Sequence, residues 1–299
     1  MNPREDLIAR IRARRALTGG RKRRSGYKIR FQYPLAIERD YSRFLVRRWK
    51  NARRDMFAWL KQAYPALLAE AGQTLPTAGR TDGFSDDIKR GVARQLELFL
   101  GSVPTIETAA QATALRVSAH NGEQWNKALR GVMGVDIFQA EPWLAEVTAV
   151  FADNNAGLIK SIAESNHSDV AFMIRDAVMQ GMRYDDLIGQ LANKYDITER
   201  RARLIARDQT TKLNSNITQF RSEGLGLKTY QWQTVEDERV RPTHRANNEE
   251  VFSWDKPPKA TGHPGHDIQC RCLAIPTEEE IFRLLDGSDG TTEESTVPF

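Results

Sequence analysis

The sequence predicts an α+β fold: a mostly α-helical N-terminal body followed by a small C-terminal α+β module that contains a short β-sheet. Two observations carry this. From Ala36 to Glu223 the apolar residues recur mostly at spacings of three and four. After Gly226 the texture changes to short stretches in which β-formers alternate with polar residues, broken by turn-rich charged segments.

The elements follow in order. Residues 1–30 include RIRARRALTGGRKRR, where Gly19 and Gly20 break any helix and the like charges repel, so a mobile basic arm is expected. Its candidate contacts with nucleic acid or a protein partner are Arg12, Arg14, Arg15, Arg21, Lys22, Arg23 and Arg24. Tyr41, Phe44, Leu45, Trp49, Phe57, Leu60, Tyr64 and Leu67 mark a helix over 36–72, which Pro65 should kink or interrupt. Arg43, Arg47, Arg48, Lys50, Arg53 and Arg54 fill its other face, as a solvated surface or a partner surface. QTLPTAGRTDG at 73–83 reads as a loop, with helices expected over 85–100, 105–130 and 141–164. Ser168 or Asp169 suits a helix start and Gly181 its end. Helices over 184–194 and 198–223 follow, the second begun at Thr198 and Glu199. TYQWQTV at 229–235, EVFSW at 250–254 and CRCLAIP at 270–276 are strand candidates, and EEEIFRLLD a final short helix. This divides the chain into a basic arm (1–30), a helical domain (31–148), an α+β domain (149–276) and an acidic tail (277–299).

Composition bounds the function. Hydrophobic residues make up 40% and charged residues 28%, a soluble globular balance. No run of about 18 apolar residues occurs, so no membrane span is expected, and the N-terminus lacks the apolar region of a secretory signal. The net charge of +5 is unevenly spread: the first 60 residues hold 18 Lys and Arg against 5 Asp and Glu, whereas the last stretch is acidic. Such asymmetry suits a basic arm that meets a polyanion or an acidic protein face. Cys270 and Cys272, one residue apart, give no disulfide framework, and bridging them would close a strained ring. Reduced thiols in a cytosolic setting are expected.

The β-rich region orders its polar residues distinctively. A helix with RARLIARDQ is followed by a glycine exit, a Tyr-x-Trp strand, Asp237-x-Arg239-Val-Arg241-x-x-His244, an aromatic hairpin, Pro257-Pro258 and Cys270-Arg-Cys272. This order resembles the phage Mu F-like head-morphogenesis family, which includes similar minor head proteins of the SPP1 type. The resemblance covers roughly residues 150–276, and NNAGLIKSI at 154–162 is similar to the helix where that domain often begins. IARDQ at 205–209 departs from the family's more usual IAR-Thr-Glu, and residues 1–140 carry no matching motif. The resemblance implies a structural role beside the portal, with portal and capsid proteins and packaged DNA as partners. It implies location in the virion, at the head interior or portal vertex, and in the host cytoplasm during assembly.

Several chemistries stay open for GHPGHDIQCRC at 262–272. If the turn carrying His244 pairs with the later strand, one imidazole and two thiols converge. Zinc is then conceivable at His244, Cys270 and Cys272, with His263, His266 or Asp267 as fourth ligand. Against it, residues i and i+2 of a regular strand stand about 7 Å apart. The favoured reading is a clamp of Asp237, Arg239, Arg241, His244, Cys270 and Cys272, with a hydrogen-bonded histidine beside two small buried thiols and no cofactor. One arginine of the pair is expected to fork onto Asp237 or Asp267. Trp232, Phe252 and Trp254 are expected in the core of the small sheet, and Arg201, Arg203 and Arg207 opposite the acidic turn 236–238.

No enzyme is expected. The alternatives are a metal-dependent nuclease or toxin-like enzyme and a free-standing nucleic-acid-binding protein. For the first, Cys270 or Cys272 with His244 and Asp237 would be nucleophile, base and orienter, or Asp237, His244, His263 and Asp267 would hold a divalent ion. No glycine-rich phosphate loop, HExxH or nucleophile elbow is present.

Overall fold

The computed structural model describes residues 29–74, 82–133, 141 and 143–286, together with Ala9 and Ala13. The seven basic residues singled out between 12 and 24 lie outside the described residues. Helices α1 (Leu35–Thr74), α2 (Asp82–Leu100), α3 (Val103–Met133), α4 (Leu144–Met179) and α5 (Tyr184–Leu225) come first. Strand β1 (Thr229–Gln233), the short helix α6 (Pro242–Ala246), β2 (Val251–Ser253), β3 (Leu273–Ile275) and α7 (Glu278–Asp286) complete the order. The fold is α+β, as the change of texture after Gly226 predicts.

Two compact units are interleaved along the chain rather than consecutive. One comprises Ala36–Ala114 and Ala145–Gln209; the other Met1–Leu35, Leu115–Leu144 and Thr210–Phe299.

The first unit is helical. Met56, Leu60, Tyr64, Leu67 and Ala71 of α1 pack with Ile88 and Val92 of α2, Val170, Ile174 and Val178 of α4, and Leu187, Leu191 and Tyr195 of α5. Helix α1 runs through Pro65. A proline there removes one intrahelical bond at a cost of about 3 kcal/mol, and the buried side chains flanking it offset that loss. Much of the basic face of α1 is locally occupied. Arg43 pairs with Asp40, Arg53 with Asp196 at 3.0 Å and Arg54 with Asp55 at 3.1 Å, while Arg48 lies 5.4 Å over the Phe44 ring.

Two helix breaks expected from the sequence are absent: α4 passes through residues 165–168 and α5 through 195–198. Thr198, which reads as a helix start, instead meets a polar residue of α4. Thr198 Oγ1 donates to Asn166 Oδ1 at 2.8 Å, and both residues are buried. His167 Nδ1 lies 2.7 Å from the Ala163 carbonyl four residues back, so its ring is served inside the helix. Its burial lowers its pKa from the ordinary histidine value. Side chains that satisfy each other across two helices no longer need to cap either one.

The second unit is built around a three-stranded antiparallel sheet of order β2-β1-β3. Tyr230 pairs with Phe252, and Trp232 with Ala274. The sheet has two buried faces. Leu273 and Ile275 join Ile29, Phe31, Trp125, Leu129, Leu225, Leu227 and Ile281. Tyr230, Trp232 and Ala274 face the other way, with Trp254, Cys270, Cys272 and the half-buried Phe252. Gln233 ties in the segment before α1: its Oε1 accepts from the Phe31 N–H at 3.0 Å and its Nε2 donates to the Phe31 carbonyl at 2.7 Å. The acidic segment that opens the C-terminal stretch is partly core. Glu280 accepts from the Lys228 N–H and Thr229 Oγ1, and Ile281 is buried.

A buried arginine joins α3 to α5 in this unit. Arg221 makes a bidentate contact with Glu141 (2.7 and 2.6 Å) and also donates to the Ser118 carbonyl and Asn121 Oδ1. No sequence motif marked this residue.

Candidate metal centre

His244 is positioned by a short helix whose start the sequence encodes. Pro242 supplies the fixed φ of a first helical turn, and Arg241 precedes it in extended conformation. Asn247 Nδ2 donates to Thr261 Oγ1 at 3.0 Å, and Asn248 Oδ1 accepts from the Thr234 N–H at 2.8 Å. The helix is thereby held between the end of β1 and the loop before β3. The Trp232 ring stands edge-on to the imidazole at 5.5 Å, and His244 is only 2% exposed.

Both cysteines precede β3 rather than lying on it, which corrects the expected strand over 270–276. Gln269 adopts φ 60°, and the Cys270 N–H donates to the Asp267 carbonyl at 3.0 Å. This turn removes the spacing of a regular strand. The ligand atoms of His244, Cys270 and Cys272 all lie within 4.8 Å of one another, and all three residues are buried. Arg271 between them lies on the other side, 5.5 Å over the Tyr33 ring.

The two imidazole nitrogens have distinct surroundings. Nε2 stands 3.1 Å from Asp267 Oδ2, whereas Nδ1 stands 3.4 Å from Cys270 Sγ and 3.5 Å from Cys272 Sγ. Arg241 supports the same carboxylate: its guanidinium pairs with Asp267 and donates to the Ile268 carbonyl at 2.8 Å. Cys270 Sγ accepts from the Gly265 N–H at 3.4 Å and the Cys272 N–H at 3.3 Å. The hydrogen bond from Cys272, these two N–H groups and the nearby imidazole lower the Cys270 thiol pKa against its burial. The same pairing, and burial, push Cys272 up.

The loop that supplies these N–H groups sits hard against α5. Ser215 Oγ donates to the Pro264 carbonyl. Gly265 has φ +85°, and a Cβ there would come within 3.0 Å of Ser215 Cβ and 3.1 Å of Thr211 Cγ2. Glycine is required at this position on both grounds.

The remaining predicted site residues lie around this centre or apart from it. Asp237 Oδ1 accepts from the Arg239 N–H at 3.0 Å, a local turn bond, and the Arg239 residue is exposed. His263 does not join the thiols: its Nδ1 stands 3.0 Å from the Tyr230 hydroxyl, and its ring packs against Trp254. Burial and the neighbouring His266 lower the pKa of His263; burial and Lys212 lower that of His266. Asp267 faces the nitrogen turned away from the sulfurs, so it supports the imidazole rather than supplying a fourth ligand. Of the arginines expected opposite the 236–238 turn, Arg203 pairs with Glu199 and Arg207 with Glu38; it is Arg30 that approaches Glu236, at 3.7 Å.

The model of the family "Phage Mu protein F like protein" matches residues 168–275, which hold every member of this cluster. Over residues 168–275 the chain is thus similar to the Mu F-like family. An uncharacterized protein of Haemophilus influenzae (strain ATCC 51907 / DSM 11121 / KW20 / Rd) is 34% identical over 211 residues, 69% of this chain and 47% of that protein. The chain thus spans about half the length of that curated relative. No solved structure matches. No described helix is long and apolar enough to cross a membrane.

Proposed function

We propose that the protein is a minor head protein of a phage, acting in head morphogenesis near the portal. The match of residues 168–275 to the Mu F-like family carries this reading. In it, the polar cluster around His244 stiffens the small sheet, and the helical unit offers docking surface to portal and capsid proteins. The basic residues Arg12 to Arg24 contact portal, capsid or packaged DNA. The protein resides in the phage head interior or at the portal vertex, and in the host cytoplasm during assembly.

Burial favours assembly over catalysis. His244, Cys270 and Cys272 are 2%, 5% and 4% exposed, so a phosphodiester has no route to them without opening the loop. The test is affinity capture of the full chain from phage-producing cells, with a parallel assay for nucleic-acid cutting. Recovery of portal and major capsid protein, with no turnover of DNA or RNA in added Mg²⁺, Mn²⁺ or Zn²⁺, is expected. Cutting that disappears in His244→Ala would overturn the reading in favour of a nuclease. So would capture of DNA alone, lost when residues 1–30 are deleted.

A further inference from the structure

We propose that His244 Nδ1, Cys270 Sγ and Cys272 Sγ hold one zinc ion, with a water completing a tetrahedral site. The spacing of the donors is the first argument. Zinc bonds of about 2.3 Å to sulfur and 2.0–2.1 Å to nitrogen, set at tetrahedral angles, place nitrogen and sulfur about 3.6 Å apart. The two N···S separations here are 3.4 and 3.5 Å. Both N···S edges of such a site are therefore already in place, and the three donor atoms all lie within 4.8 Å of one another.

Hydrogen bonding alone accounts for them less well. Nδ1 has one lone pair when Nε2–H donates to Asp267, yet two sulfurs approach it. Cys270 Sγ also accepts two backbone N–H groups. A neutral thiol is a weak acceptor, so two N–H groups converging on one are poorly matched by it. A metal ion resolves both problems, since it binds both sulfurs and the imidazole lone pair together.

The surroundings of the donors have the form of a metal site's outer layer. Asp267 fixes the histidine tautomer so that Nδ1 is the free donor, and Arg241 fixes Asp267. Two sulfurs and an imidazole suit zinc and exclude the oxygen-seeking magnesium and calcium. Among the described residues no further His, Cys, Asp or Glu joins the group. His263 is engaged by Tyr230, which leaves the fourth position to water. The sequence masks this site because its Cys-x-Cys spacing is read on a strand; the turn at Gln269 brings the thiols together.

The site stands independently of the head assignment: a protein that binds zinc but captures no virion protein would keep it, and the converse would refute it alone. The test is elemental analysis of the full chain, purified without a histidine tag under reducing conditions. About one zinc per chain is expected, and the Cys270→Ser/Cys272→Ser double variant should lose it. Cobalt added to metal-stripped wild-type protein should give the intense visible bands and sulfur charge-transfer absorption of a tetrahedral thiolate site, saturating at one equivalent. Asp267→Asn, which leaves the donors in place, should weaken zinc binding about 10–100-fold. Zinc no higher than in the double variant, another metal in its place, or cobalt in the pale spectrum of a six-coordinate ion would overturn the proposal.

Discussion

The helical unit and the sheet unit are held together by different chemistry. In the helical unit, four helices supply a continuous apolar core from Met56 to Tyr195, and each helix has more than one anchoring side chain in it. The sheet unit has strands of five, three and three residues, too short to bury much surface alone. Its apolar residues are split between the two faces of the sheet, and its loops and helices are tied by directed polar contacts: Arg241 and His244 on Asp267, Gln233 on Phe31, Arg221 on Glu141. Apolar burial is tolerant and roughly additive. Directed contacts fail as units when one partner is lost. The Mu F-like segment thus includes both a region that should degrade gradually under mutation and one that should fail abruptly.

The largest expected effect lies in the sheet unit. Arg221→Ala strands Glu141 and the polar groups of Ser118 and Asn121, and should cost about 3–5 kcal/mol in urea unfolding. An effect under about 1 kcal/mol would show the network to be decorative. In the helical unit, Leu191→Ala removes a fully buried side chain and should cost about 2–5 kcal/mol. Its signature differs: zinc content, and hydrogen exchange across residues 229–275, should be unchanged. Gly265→Ala places a Cβ against α5 in a left-handed backbone and should cost about 1–3 kcal/mol. In metal-free protein it should also slow the reaction of Cys270 with thiol reagents near neutral pH, because the Gly265 N–H that favours the thiolate would be displaced. Smallest of all is Arg239→Ala, which removes an exposed side chain and should stay within about 0.5 kcal/mol. A large loss there would mean that Arg239, not Arg241, secures the loop.

Much of the fold was legible because periodicity reports local structure faithfully. The long helices, the change to strands after Gly226 and the core role of Trp232 and Trp254 all follow from patterns that neighbouring residues carry. What sequence reading missed depends on contacts between distant residues. Thr198 looks like a helix start until it is seen bonded to Asn166. Arg221 is one of many arginines on a polar helix, and only Glu141, 80 residues away, distinguishes it. The candidate site divides in the same way. Asp237, Arg241 and His244 occupy one turn segment, so their neighbourhood was readable. The meeting of His244 with both thiols was expected if the turn paired with the later strand, but the turn that takes the cysteines off that strand was not, because a glutamine at φ 60° gives no warning of it. A signal for the close-packed loop was present in Gly265, flanked by Pro264 and His266, where two independent constraints demand glycine.

The contrast between the units is tested most directly by hydrogen exchange on the full chain before and after zinc is stripped with a chelator. Amides of β1, α6, β3 and the 262–272 loop should lose protection, while those of α1, α2 and α4 inside the helical core keep theirs. Unchanged protection throughout, or an equal loss in both units, would contradict the claim that the segments around the sheet are fixed by the imidazole and thiols.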